Sequence, residues 1–132
     1  MPDQLNNLKF INFIKFTKIN NLFRRAKIFI NTSQQEGFTN TFIQAMKNCT
    51  PIISLSVDPD AILLNNRCGY NYHDDFNRMK KYLKYLLENR RVYKSMSKNA
   101  LTYVSKNHNL KDTSKSWNKI IKFLIKTRYY NS

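Results

Sequence analysis

Two short apolar runs, "KIFINTS" (Lys27 to Ser33) and "PIISLSV" (Pro51 to Val57), constrain the fold of this chain more than any other feature. Both are rich in isoleucine. Between them Phe42, Ile43, Ala45 and Met46 recur at helical spacing. Continuous apolar strands separated by a helix suit a parallel sheet, because a parallel pair needs a crossover and the crossover helices cover the faces of the sheet.

The pattern extends in both directions. "LKFINFIKF" places Leu8, Phe10, Phe13 and Phe16 in imperfect alternation and predicts a first strand over 8–16, lying at the sheet edge. "KINNLFRRA" predicts a short helix. Downstream, "DPDAILLNN" opens with Asp58 as a helix N-cap and Pro59 at the first helical position. "CGYNY" reads as a turn or short strand around Gly69. Three amphipathic helices are predicted near 75–89, 91–106 and 111–127. Their apolar faces use Met79, Leu83 and Leu86, then Val92, Met96 and Ala100, then Trp117, Ile121 and Leu124, with Trp117 expected as a core anchor. The whole is an α/β chain with a small parallel sheet and a helical C-terminal tail, read as one domain over residues 1–132.

Composition narrows the partners. A hydrophobic fraction of 42% argues against wholesale disorder. The formal net charge is +15, from 23 Lys+Arg against 8 Asp+Glu. That excess suits an anionic partner such as nucleic acid, an acidic membrane surface or a phosphorylated ligand. It also follows from an AT-rich gene, which enriches Lys, Asn, Ile and Tyr together. Cys49 and Cys68 are isolated and form no Cys/His cluster, so no metal is expected and a reducing compartment is. The N-terminus lacks a signal-peptide pattern, and no apolar stretch approaches the ~20 residues of a membrane span. A cytoplasmic location is expected, with peripheral attachment to a membrane left open.

The chain holds two glycines, and one of them, Gly37, follows Glu36 at the junction of strand and helix. Glycine there lets a ligand approach the backbone closely. The first amides of the following helix form an anion site assisted by the helix dipole, suited to phosphate. Gln44 lies about two turns on, with its side chain leaning back toward the helix start. Glu36 and Gln44 taking hydroxyls beside amides taking phosphate is the profile of a sugar-nucleotide site. A Glu near a helix N-terminus also serves simply to compensate the dipole.

The segment "AKIFINTSQQEGFTNTFIQAMKNCTPIISLSVDPDAILLNNRCGY" resembles the donor-binding half of group 1 retaining glycosyltransferases of the GT-B fold. Those enzymes read Ser-x-x-Glu-Gly-Phe, five residues, Glu-Ala-Met, then Gly-x-Pro before a strand. Ser33, Glu36, Gly37, Phe38, Ala45, Met46 and Pro51 match in order and spacing. The likeness covers roughly residues 8 to 108 and is densest from Ala26 to Tyr70. It implies a partial Rossmann-like three-layer domain that takes a UDP- or GDP-sugar as substrate, without a metal. By the resemblance Glu36 is the catalytic-site carboxylate on the donor sugar. Ser33 belongs to the same motif, Gly37, Phe38 and Thr39 offer backbone amides, Asn40 sits beside the diphosphate, and Gln44 stands where the family holds the ribose hydroxyls.

Three departures bear on activity. Gln44 replaces a Glu, and charge-assisted bonds are roughly twice as strong as neutral ones. Cys49 replaces a helix-ending Gly, at a cost of about 1 kcal/mol if left-handed, unless Asn48 takes that conformation. The family's diphosphate-gripping Arg and Lys, and its acceptor domain with a His, have no counterpart in these 132 residues. A complete active site is therefore not expected within one copy. The expected partners are a nucleotide sugar and either a second chain supplying the missing half or another copy of this one.

The remaining candidates have simpler explanations. Capping accounts for Asp58 and Asp60, although in the resembled family that loop faces the donor cleft. His73 and His108 suit surface or helix-end positions. Tyr82, Tyr85, Tyr93 and Tyr103 interleave with lysines, but no nucleic-acid module motif accompanies them and nucleic acid is not favoured as a partner. The alternative function is a non-catalytic basic module binding nucleic acid or an anionic membrane surface.

Overall fold

The computed structural model describes residues 7–36 and 39–130, with side chains described through Lys126. The elements are α1 (Phe16–Arg25), β1 (Phe29–Asn31), α2 (Asn40–Lys47), β2 (Ile52–Ser54), a 3-10 turn (Pro59–Ala61), α3 (Ile62–Asn65), β3 (Gly69–Asn71), α4 (Phe76–Glu88), α5 (Arg90–Asn107) and α6 (Leu110–Tyr130). The strands form one parallel sheet in the order β1-β2-β3. Phe29, Ile30 and Asn31 stand opposite Ile52, Ile53 and Ser54, which in turn stand opposite Gly69, Tyr70 and Asn71.

The central strand explains the layering. Side chains alternate along a strand, so Ile52 and Ile53 point to opposite faces, and both are fully buried. Ile52 joins a cluster with Phe23 of α1, Phe42, Ala45 and Met46 of α2, Leu63 of α3, and Ala100 and Val104 of α5. Ile53 joins Met79 and Leu86 of α4 and Met96 of α5 on the other face. Burying each of Met46, Ile52, Ile53 and Leu63 is worth about 2 kcal/mol, which is why three short strands suffice as a frame. Thr50 ties the layers at the start of β2, its buried hydroxyl donating to Phe23 O at 2.8 Å.

Gly69 is set by close approach. A Cβ there would lie 2.3 Å from Ile52 O and 2.9 Å from Leu63 Cδ2, so β3 pairs with β2 only because that position carries no side chain. Cys49 has φ 58° and adopts the left-handed conformation after α2, whereas Asn48 has φ −96° and does not. The cost of about 1 kcal/mol therefore falls on Cys49.

Several expectations need correction. Residues 8–16 form no strand. Phe10 and Phe13 are more than 80% exposed, and Phe16 already belongs to α1. The aromatic alternation there has no neighbouring strand to pair with, and the sheet edge is β1 instead. Trp117 is 60% exposed and anchors no core, because α6 has no element packed over it and every residue from Leu110 to Lys126 is exposed. Asp58 does not start a helix at Pro59. That turn is 3-10 with Asp60 and Ala61 left-handed, at φ 54° and 51°. The Asp58 carboxylate instead accepts from Leu63 N at 2.8 Å and Leu64 N at 3.3 Å, capping α3 one turn later. Helices α4 and α5 begin and end close to their predicted bounds. Asp75 caps α4 by accepting from Arg78 N at 2.9 Å.

Candidate functional site

Each strand ends on a polar residue, and the three lie in one row across the sheet: Asn31, Ser54 and Asn71. Each stops its strand in a similar way, with a side-chain oxygen accepting a nearby amide. Asn31 Oδ1 accepts from Ser33 N at 3.1 Å, Ser54 Oγ from Val57 N at 3.1 Å, and Asn71 Oδ1 from His73 N at 3.0 Å. Such local bonds compete with the ladder and turn the chain out of the sheet. The loops that follow therefore gather at the carboxyl ends of the strands, where open α/β sheets bind ligands.

Two of these loops wall an open cleft of about 600 Å³, with Gln34, Gln35 and Glu36 on one side and Ser56, Val57, Asp58 and Pro59 on the other. The hydroxyl of Ser33 donates to Glu36 Oε1 and holds the exposed carboxylate in place. On the facing wall, Ser56 Oγ donates to Asp74 Oδ1 and Asn71 Nδ2 donates to Ser56 O at 3.0 Å. Burial raises the Asp58 carboxyl above its ordinary value. The Leu63 and Leu64 amides and the charge of His73 oppose that without cancelling it.

At the end of β1 and before α2, Asn31 Nδ2 and Thr39 Oγ1 are buried and have no hydrogen-bond partner among the described residues. Thr39 precedes α2, and its side chain makes no capping bond. The first turn of α2 carries no acidic residue, so its amides and dipole are uncompensated there.

The structure brings only part of the expected set together. Glu36 and Ser33 are in contact. Thr39 and the exposed Asn40 stand at the start of α2. None of Thr39, Asn40 and half-buried Gln44 lines the cleft, and the backbone carbonyl of Gln44 accepts from Asn48 Nδ2 at 2.9 Å. Gly37 and Phe38 lie outside the described residues. Sequence reasoning missed Asn31 and Ser56, while the Asp58 loop, expected at the cleft by the family resemblance, does form its facing wall. A polar residue closing each of "FIN", "IIS" and "GYN" was the available signal. Cys68 is no nucleophile, since burial pushes its thiol up to about 12.

Tyr70 and Tyr72 of β3 and Tyr82 and Tyr85 of α4 form a second cluster, with Tyr70 and Tyr82 centroids 4.3 Å apart. Burial raises the Tyr72 and Tyr82 hydroxyls, which therefore stay neutral. Tyr72 and Tyr82 pack against the Ile53 cluster, as amphipathic packing implies.

The parallel sheet, its two helical faces and a cleft at the strand ends define a small Rossmann-like α/β domain. The family of glycosyl transferases group 1 matches residues 3–102, and the chain belongs to that family. No curated protein is similar enough to the chain to match it. The fold is that of the C-terminal domain of a GT-B enzyme. The chain is similar to the C-terminal domain of a glycosyl transferase group 1 family protein (LpcC) from Francisella tularensis, with a TM-score of 0.65 and 19% identity. That likeness covers 78% of this chain and 53% of the other, so the chain spans about half the length of the matched domain.

Proposed function

We propose that this chain is the nucleotide-sugar-binding part of a glycosyltransferase, and that Glu36 holds the donor sugar. The observation that carries the reading is the placement of Glu36. It stands on a cleft wall at the carboxyl ends of β1 and β2, and nearby in the chain Asn31 Nδ2 and Thr39 Oγ1 are buried without a partner among the described residues. Family membership supports a role in glycosyl transfer.

In this reading the Glu36 carboxylate accepts hydrogen bonds from sugar hydroxyls, with Ser33 fixing its orientation. The amides at the start of α2, near Thr39 and Asn40, receive the diphosphate and offset the charge that develops on it as the glycosyl bond breaks. By the family resemblance Gly37 and Phe38 add backbone contacts to the donor, whereas Gln44 does not line the cleft. The transfer proceeds with retention in the presence of an acceptor-binding half, and no metal is called for. The isolated chain binds donor weakly and turns it over poorly.

Calorimetric titration with UDP-sugars and GDP-sugars, at low and moderate salt, tests this on wild type and Glu36→Ala. Saturable binding that survives added salt and falls at least about tenfold in the variant is expected, since a lost hydrogen bond to a charged group is worth about 1.5–3 kcal/mol. Binding indifferent to Glu36 and abolished by salt would instead indicate a basic surface acting on phosphates alone.

A further inference from the structure

Along β3, the edge strand, two cavities meet at Tyr70 and Tyr82, which line both. The one of about 420 Å³ carries Arg67 and Arg91. The other, of about 480 Å³, carries Arg78, Lys81 and Tyr85. None of the described residues lining either cavity is an acid. The acids that flank them in the chain are engaged elsewhere: Asp74 accepts from Ser56 Oγ, Asp75 from Arg78 N, and Glu88 pairs with Lys84. The four cations make no ion pair among the described residues. Helix α4 aligns the surface, since Arg78, Lys81, Tyr82 and Tyr85 recur at intervals of three, one and three and share one side. The Tyr82 ring meets Tyr70 at 4.3 Å and Tyr85 at 5.5 Å, which makes a continuous aromatic strip. Tyr70 is 37% and Tyr85 44% exposed, so ring surface stays open to a ligand. Asn99 Nδ2 donates to Arg67 O at 3.2 Å and ties the Arg67 turn to α5, the helix of Arg91.

We propose that this groove binds a single strand of nucleic acid, its bases stacked on the tyrosines and its phosphates on the flanking cations. The chain carries no nucleic-acid module motif, but the fold gathers rings and cations that lie apart in the sequence onto one surface. Cations in both cavities, with shared rings between them, call for a ligand whose charges and rings repeat along its length. A mononucleotide would use one cavity only, and an acidic peptide would leave the rings without a stacking partner. Every base offers a ring face, so the groove asks for no particular sequence. The inference does not rest on the donor reading, since Glu36 lines neither cavity.

Fluorescence anisotropy of the full chain with a labelled oligothymidylate of about twelve nucleotides tests this. Saturable binding is expected, at least about tenfold tighter than to a duplex of equal length, whose paired bases withhold their ring faces. Tyr85→Ala should weaken it at least about fivefold at unchanged charge. Arg67→Gln combined with Arg91→Gln should lower the log–log salt slope by about 1.4, or about 0.7 per cation removed. Both arginines are exposed, so the melting temperature should hold. Replacing Lys115, Lys119 and Lys122 of α6 together by Gln is the charge control, and should leave affinity nearly unchanged. Absent binding, equal affinity for the duplex, or a loss in the α6 control as large as in the arginine variant would overturn the proposal. So would thymidine monophosphate or polyglutamate displacing the strand as well as unlabelled strand does at equal charge. The first would assign the groove to a free nucleotide and the second to an acidic polypeptide. Binding that falls in Glu36→Ala would place the strand in the donor cleft instead.

Discussion

Asn31 and Asn71 occupy equivalent places on either side of Ser54 and do the same local work, each accepting the amide two residues on. Their second halves differ. Asn71 Nδ2 donates to Ser56 O at 3.0 Å, while Asn31 Nδ2 is buried without a partner among the described residues. The contrast extends along both walls of the cleft. The Ser54–Asp58 wall is closed by bonds to Val57 N, Leu63 N, Leu64 N and the 71–74 turn. On the side of Glu36, before α2, Thr39 Oγ1 likewise has no partner among the described residues. An unsatisfied buried polar group costs about 1–3 kcal/mol. One wall is completed by folding, and the other keeps unmet hydrogen-bonding capacity beside the residue read as the sugar ligand.

The largest expected effect removes the frame that both walls share. Gly69→Ala drives a methyl into Ile52 O and should cost about 3 kcal/mol in urea unfolding. A near-neutral result would mean that β3 does not hold the closed wall.

Next in size, Asp58→Ala removes the acceptor for two α3 amides and should cost about 1 kcal/mol. Glu36→Ala, at an exposed site, should stay within about 0.5 kcal/mol. Equal losses would erase the distinction between a wall that stores stability and one that stores binding.

Thr39→Val sharpens the other side. It removes a buried unpartnered hydroxyl at nearly constant shape, so the melting temperature should rise by the equivalent of about 1 kcal/mol while nucleotide-sugar binding weakens. A lower melting temperature would show that the hydroxyl is satisfied in solution.

The smallest effect is the pH dependence of Asp58. Burial raises its folded pKa above the unfolded value, so the folded state takes up a proton more readily. The stability of wild type relative to Asp58→Asn is therefore greatest below the unfolded carboxylate range and declines as pH rises through the raised folded value. Denaturation midpoints of the two proteins across the acid range would read this. A gap that widens in favour of wild type with rising pH would mean the amides outweigh burial.

Much of this molecule is decided by local pattern. The apolar runs at Phe29–Asn31 and Ile52–Ser54, the α2 spacing of Phe42, Ala45 and Met46, and the bounds of α4 and α5 could all be read from side-chain period, because each of these segments buries the face its period creates. Glu36, singled out after the first apolar run, does stand on a cleft wall. The errors fall where period has no surface to act on. Residues 8–16 alternate without a neighbouring strand, and Trp117 sits on an apolar face that nothing in the fold covers. The cleft itself was hidden because Ser56, Asp58, Asn71 and Asp74 are remote from Glu36 in the chain. They reach the facing wall only when the strands align in register and Asn31, Ser54 and Asn71 turn their loops to the same end of the sheet. Sequence by itself determined which segments become strands and helices. Tertiary structure alone decided which polar groups would be satisfied by folding, because a hydrogen-bond partner is a matter of position in space.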